Sequence, residues 1–302
     1  MWGRTSYGSR SAWKTPATSS RTWSGPSRPH NAESRADVEA LIDGRVVRCA
    51  TGGRSIDGDE PAVVLVHGAG GDRTVWQLQT RWIAHHGYRA AAVDLPGHGG
   101  SRGPALASIE EMGAWLASTT EALGLAPAHL VGHSMGTFVA LEAAAQRPEV
   151  ARSLVLLGTA GAMPVHPALQ SAADADDPVA GRLITSWGIG SRAHTGGHAS
   201  PGMWLIGGNT SLLDRARPGV LANDLAACDA YDGAEAAAAR VQCPVTLVLG
   251  REDKMTPNKR AAPMIDAFGD VRSVYLDRVG HFLQIESPIP VRKAIAEALA
   301  RA

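Results

Sequence analysis

Leu130-Val131-Gly132-His133-Ser134-Met135-Gly136-Thr137-Phe138-Val139 is the stretch that decides the fold. It joins the end of a solid apolar run to the start of a helix-forming one across a G-x-S-x-G pentapeptide. A turn this tight needs glycine on either side, so that the serine between them can take a strained backbone position. The strain pushes its oxygen out above the sheet, at the N-terminus of the following helix. Ser134 is therefore the candidate nucleophile.

Outward from that turn, Ala62–Val66, Ala90–Val93, Leu130–Val131, Ser153–Leu157 and Val245–Leu249 are short runs without polar alternation. Such strands are buried on both faces, as in a parallel sheet sandwiched by helices. Helices are expected over Ser108–Leu123, Gly136–Gln146, Pro257–Phe268 and about Pro288 to Ala300, with a last strand at Val271–Leu276. Ahead of them, Val38–Ile42, Asp43-Gly44 and Arg45–Cys49 read as a hairpin, because Asp-Gly supplies a two-residue turn. The alternation gives an α/β fold with a doubly wound sheet. Between Ala160 and Arg240 no buried strand appears, and a structureless loop of that length does not suit a compact domain. A helical cap inserted at about 161–240 of a 37–302 domain is the expectation.

Residues 1–36 differ from the rest. They are rich in Ser, Arg, Pro and Trp, have no acid before Glu33, and carry Pro16, Pro26 and Pro29. This reads as a disordered extension. It resists the amphipathic helix of a transit peptide and lacks the apolar core of a secretory signal; targeting, a linker and a misplaced start stay open.

The 302 residues are 44% hydrophobic and 19% charged, and 29 basic residues balance 29 acidic ones. Zero net charge leaves no electrostatic footprint for nucleic acid or an anionic membrane. No apolar run reaches the roughly 18–20 residues of a membrane span, so a soluble, cytoplasmic protein is expected. Cys49, Cys228 and Cys243 are odd in number, without CxxC spacing, and read as buried small hydrophobes of a reducing compartment.

A serine hydroxyl needs a base. His281, in Val279-Gly280-His281-Phe282, sits in a loop between the last expected strand and the terminal helix. The base needs an acid to fix its tautomer. Asp253, in Gly250-Arg251-Glu252-Asp253, lies at the carboxyl end of Val245–Leu249, where α/β sheets build their sites. Glu252 and Asp277 compete, whereas Gly158-Thr159-Ala160-Gly161, after Ser153–Leu157, offers no carboxylate. For an oxyanion, the expected donors are the backbone N–H groups of Met135 and of Ala69, in His67-Gly68-Ala69-Gly70-Gly71, with Gly70 as the fallback.

Val64-Leu65-Val66-His67-Gly68, Asp94-Leu95-Pro96-Gly97-His98-Gly99, the serine pentapeptide, Gly250 to Asp253 and Gly280-His281-Phe282 together resemble the α/β-hydrolase superfamily. The resemblance spans Val38 to Ala302. It implies a mostly parallel eight-stranded sheet flanked by helices, a helical cap after the sixth strand, and a two-step acyl-enzyme mechanism without cofactor or metal. It implies that His67 holds the oxyanion loop and transfers no proton. Serine at the nucleophile position argues against epoxide hydrolases and haloalkane dehalogenases, and His67-Gly68-Ala69 is unlike the hormone-sensitive-lipase type. Carbon–carbon hydrolases of this fold usually have Asn where His133 stands and Gly where Thr137 stands.

The expected function is hydrolysis of carboxylic esters of small or medium acyl groups, the partner being a small ester-like molecule. Lactonase, thioesterase, carbon–carbon hydrolase and a non-enzymatic ligand-binding member are the alternatives. Gly70, His133, Trp187, Trp204 and Phe282 are candidate substrate contacts; Met203, Leu205 and Tyr231 also qualify, or form the core of the cap. His194-Thr195-Gly196-Gly197-His198 has an H-x₃-H spacing but reads as a flexible loop, with no metal expected.

Overall fold

The computed structural model describes residues 37–42, 44–198 and 202–302. Residues 1–36, read above as an extension, lie outside the described residues, as does Asp43 of the expected turn. β1 (Asp37–Ile42) and β2 (Arg45–Ala50) pair as an antiparallel hairpin with Ile42 opposite Arg45. Gly44 takes a φ of 74°, the left-handed conformation the turn demands.

The sheet continues with β3 (Ala62–Val66), β4 (Arg89–Val93), β5 (Ala128–His133), β6 (Ala151–Leu157), β7 (Val245–Gly250) and β8 (Val271–Leu276). Its order is β1-β2-β4-β3-β5-β6-β7-β8, and every pairing from β4 onward is parallel. All residues of β3, β5 and β7 are buried, which is why β3 is an unbroken apolar run and β5 and β7 are mostly apolar, with buried His129, His133 and Thr246 as the polar exceptions. Helices α1 (Gln77–Ala84), α2 (Ile109–Ala122) and α3 (Met135–Gln146) follow β3, β4 and β5. α2 starts on Ser108, whose side chain accepts from the Glu111 N–H while Glu111 Oε2 accepts from the Ala107 N–H. α3 is buried on nearly all sides.

α1 carries no signal in the sequence reading because half of its buried face, Gln79 and Thr80, is polar. The helix expected over Pro257–Phe268 is instead a 3₁₀ turn, Asn258–Ala261, followed by α10 (Ala262–Ala267). Pro263 explains the break, since it has no N–H to continue a helix and is tolerated only in a first turn.

Between β6 and β7 lie α4 (Pro167–Asp174), α5 (Val179–Gly188), α6 (Ser191–His194), α7 (Leu205–Leu213), α8 (Val220–Ala230) and α9 (Ala234–Ala238). Leu169, Ile184, Leu205, Leu213, Leu225 and Phe282 pack into an apolar cluster of their own, apart from the two clusters that flank the sheet. After β8 come α11 (Leu283–Glu286) and α12 (Pro288–Leu299). Among the described residues, no helix is long and apolar enough to cross a membrane.

β3 lies between β4 and β5, so the chain builds one side of the sheet, returns past β3 and builds the other. The loops leaving β3 and β5 therefore diverge at their carboxyl ends. The crevice left there is where sheets of this kind bind ligands.

Candidate active site

Ser134 leaves β5 with φ 52° and ψ −123° and starts α3. For a residue with a side chain this conformation costs about 1–3 kcal/mol. Ser134 N–H donates to Leu157 O at 3.0 Å, and its carbonyl accepts from the Thr137 N–H and hydroxyl at 2.8 and 2.6 Å. These bonds hold the strained turn in place. The flanking glycines serve close approach, since neither has a positive φ. A Cβ on Gly132 would meet Gly136 O at 2.2 Å, and one on Gly136 would meet Val66 O and His67 O at 2.5 Å. Any larger residue would drive α3 off the end of β3.

His281 is 2% exposed and Asp253 6% exposed. Nδ1 of His281 lies 2.8 Å from Asp253 Oδ2. Asp253 also accepts from the Met255 and Thr256 N–H groups at 2.9 and 2.8 Å and from the Thr256 hydroxyl at 2.7 Å. Burial pushes its carboxyl up, but the neighbouring His281 and these donors outweigh burial and hold it below the usual carboxylate range. An ionised acceptor puts the His281 proton on Nδ1, leaving Nε2 as the acceptor nitrogen. Ser134 and His281 line the same cavity. No hydrogen bond joins Ser134 Oγ to Nε2 among the described residues, a contact that tightens in such sites when substrate is bound.

The competing carboxylates are engaged elsewhere. Glu252 accepts from Ser191 N–H and Oγ at 2.7 and 3.0 Å, and Asp277 pairs with Arg251 at 2.7 Å on the surface. Gly158, where β6 offered no acid, has φ 60° and lies against His281; a Cβ there would be 3.1 Å from Nδ1.

In the loop after β3, the Gly70 N–H donates to Asp224 Oδ2 at 2.9 Å and the Gly71 N–H to Gly68 O at 3.1 Å. Gly70, the fallback donor, is thus corrected in one respect: its N–H is taken by Asp224, and Gly70 is absent from the cavity lining. The Ala69 N–H has no partner among the described residues, and Ala69 lines the cavity. His67 donates from Nδ1 to Gly68 O at 2.9 Å and accepts the Leu95 N–H on Nε2 at 3.2 Å. Burial, reinforced by His98, pushes it down, so it stays neutral.

The cavity holds about 460 Å³. Helices α4, α5, α7 and α8 give it an apolar wall of Leu169, Ile184, Trp187, Leu213 and Leu225. His133 and Phe282 also line it. His133 donates from Nε2 to His281 O at 2.9 Å, and burial pushes its pKa down to about 3. Trp204 is corrected: it is 73% exposed, outside the cavity, with its ring over Gly207. Tyr231 packs on Phe138 and donates to Glu142 at 2.7 Å, so it is core; Leu205 is core as well, and Met203 is exposed. Cys228 lines the cavity, its thiol pushed up by burial. His194 ends helix α6 and bonds to Ile189 O at 3.1 Å, while His198 bonds to Ile285 O at 2.8 Å. Each member of the H-x₃-H pair is therefore bonded to a backbone carbonyl.

Three residues escaped the sequence reading. Thr256 bridges Asp253 and His281; the Asp-x-x-Thr spacing, which favours side chain-to-backbone turns, carried that signal. Glu286 accepts from the Gly190, Gly280 and Phe282 N–H groups at 2.9, 3.1 and 3.1 Å and ties the His281 loop to the α5–α6 turn. Asp224, fully buried on α8, bonds His98 at 2.8 Å as well as Gly70. Nothing near Glu286 or Asp224 in sequence announces those partners.

A family model described as the alpha/beta hydrolase family matches residues 63–294. The chain belongs to this family. This alpha/beta hydrolase is 28% identical over 254 residues to RutD of Pseudomonas savastanoi pv. phaseolicola, provisionally named a carbamate hydrolase, covering 80% of this chain and 94% of the relative. It superposes on the enol-lactonase of Burkholderia xenovorans LB400 with a TM-score of 0.77 at 20% identity, covering 87% and 100% of the two chains. A thermophilic esterase from Thermogutta terrifontis matches with a TM-score of 0.71 at 24% identity over 88% and 98%. At such identities these two structures show a shared fold.

Proposed function

We propose that this alpha/beta hydrolase is a serine hydrolase of carboxylic esters with small or medium acyl groups, acting through an acyl-enzyme. Ser134 is the nucleophile, His281 the base, and Asp253 the acid that orients it. The observation that carries this reading is the buried 2.8 Å bond from His281 Nδ1 to Asp253, which frees Nε2 in a cavity shared with a strained serine at a helix N-terminus.

In the reaction, Ser134 Oγ attacks the ester carbonyl as its proton passes to His281 Nε2. The imidazolium is stabilised by ionised Asp253. The oxyanion is met by the N–H groups of Ala69 and Met135, each worth roughly 3–4 kcal/mol in the transition state. His281 returns the proton to the departing alcohol, then activates a water that releases the acid. His67 shapes the donor loop. The helices between β6 and β7 act as a cap over 161–240 within a 37–302 domain, and Trp187 and Phe282 contact the acyl group.

Carbamates are a second reading, favoured by the relative aligned over 94% of its length; the same attack on a carbonyl would serve. p-Nitrophenyl esters from acetate to palmitate test the main proposal. Turnover is expected to be best at short or medium chains and to fall about 10⁶-fold in kcat in Ser134→Ala. Near-wild-type activity in that variant would remove Ser134 from its role.

A further inference from the structure

The cavity shared by Ser134 and His281 has charged residues of one sign only. Lys254 and Arg260 line it, and no Asp or Glu does. The whole chain balances 29 basic against 29 acidic residues, so this local excess is not inherited from composition. Both cations come from the β7–β8 connection, on the sheet side, facing the apolar wall built by the helices.

Arg260 is the more available of the two. Its backbone is pinned, with its N–H donating to Pro257 O and its carbonyl accepting from Gly161, each at 2.8 Å. Its guanidinium makes no hydrogen bond or ion pair among the described residues, although acids elsewhere in the chain are regularly taken up by arginines. Lys254 is partly answered by the neighbouring Glu252, whose carboxyl it helps hold low after the Ser191 hydrogen bonds. His166 adds a third donor to the lining. Its Nδ1 accepts the Ala168 N–H at 3.1 Å, so the neutral ring carries its proton on Nε2, with the ring set edge-on to Trp187 at 5.7 Å.

Arg260 stays exposed to solvent while lining the cavity, so an apolar chamber bordered by an unpaired guanidinium on a pinned backbone selects by sign. A low-dielectric wall focuses the field of that charge into the cavity. A planar carboxylate fits its donor fork at two points, whereas a neutral ester tail leaves it with water alone. We propose that the substrate is an ester of a dicarboxylic acid, with one carboxyl esterified at Ser134 and the other, ionised, held by Arg260. The proposal rests on the serine-esterase reading for its chemistry, but the anion site itself stands apart from it. Arg260 sets specificity and takes no part in bond making.

The test pairs monomethyl adipate with methyl hexanoate, which has the same acyl length and no charge. The expected wild-type ratio of kcat/KM, acid ester over neutral ester, is about tenfold or more, as a charge-assisted contact supplies. It should fall toward unity in Arg260→Ala through KM, recover in part in Arg260→Lys, and shrink between 20 mM and roughly 500 mM salt as screening shortens. A wild-type preference for the neutral ester, or a ratio unmoved in Arg260→Ala, would overturn the proposal. Calorimetric binding of monomethyl adipate to Ser134→Ala, with and without Arg260→Ala, reads the anion site with no turnover. Affinity lost with Arg260 supports the site even if Ser134 proves not to be the nucleophile; equal affinity in the two backgrounds refutes it.

Discussion

Two buried aspartates each meet a histidine at 2.8 Å: Asp253 meets His281 at the end of β7, and Asp224 meets His98 under α8. Judged by that distance and by burial, the pairs are twins. They differ in what the second ring nitrogen does. His98 faces acceptors on both sides, Asp224 on Nε2 and Pro96 O on Nδ1 at 3.0 Å. Both nitrogens must then donate, which requires the imidazolium. Burial works against that charge, but Asp224's charge and hydrogen bond prevail and raise the His98 pKa. A ring with both protons committed cannot act as a base. His281 has one acceptor side, formed by Asp253, and a second nitrogen with no hydrogen-bond partner among the described residues, on a ring that lines the same cavity as Ser134. An aspartate–histidine pair is therefore not a catalytic signature by itself; the count of acceptors around the ring decides between a proton carrier and a clamp.

The clamp has a task of its own. Asp224 also holds the Gly70 N–H, next to Ala69, and the His98 ring lies 4.7 Å from that of His67, which bonds Gly68 O. One side chain from α8 thus reaches both flanks of the loop that carries the proposed oxyanion donor.

The largest separation between the two pairs is expected from Asp253→Asn. An amide there offers its N–H₂ to Nδ1, favours the wrong tautomer, and should lower kcat about 10⁴-fold with little change in KM. Glu252→Gln, one residue away, should leave kcat within about threefold, as a surface change does; equal losses in the two variants would void the distinction between them.

Asp224→Asn should cost less, about 10- to 100-fold in kcat, because it shifts a donor loop and removes no reacting group. Affinity for a boronic acid that mimics the tetrahedral intermediate should fall in parallel while KM holds. Loss of KM alone would mean that Asp224 shapes the cavity and not the oxyanion site.

The smallest effect lies in stability against pH. Burial pushes His133 down to about 3 and His129 to about 4, and it lowers His67. Such groups bind protons more readily when unfolded, so their contribution is present above the unfolded value near 6.5 and is lost as pH falls below it, by up to about 1.4 kcal/mol per pH unit for each group. His98, raised by Asp224, has the opposite sign: its contribution is full below about 6.5 and is lost as pH rises through its folded value. The urea midpoint should therefore drop between roughly pH 7 and pH 5, and drop more steeply in Asp224→Asn, where the opposing term is gone. Parallel slopes in the two proteins would show that His98 is not held charged.

The sequence alone was enough for the parts of this protein that are written locally. Apolar runs without polar alternation state that β3, β5 and β7 are buried on both faces, and the serine turn states its own strain between two glycines. Asp253 and His281 are legible because each follows a strand in chain order, where a parallel sheet sends its loops to one edge. Tertiary structure alone decided the rest. Asp224 and His98 stand 126 residues apart, and Gly70 stands 154 from the same carboxylate. On α8 Asp224 reads as any polar residue of a helix, and Trp204, one of the two tryptophans offered there as substrate contacts, faces solvent. Helical periodicity reports which side of a helix is buried, but not what it is buried against. The wall of the cavity, the clamp on the donor loop and the unpaired Arg260 all depend on that second fact, which exists only once the helices have packed over the sheet.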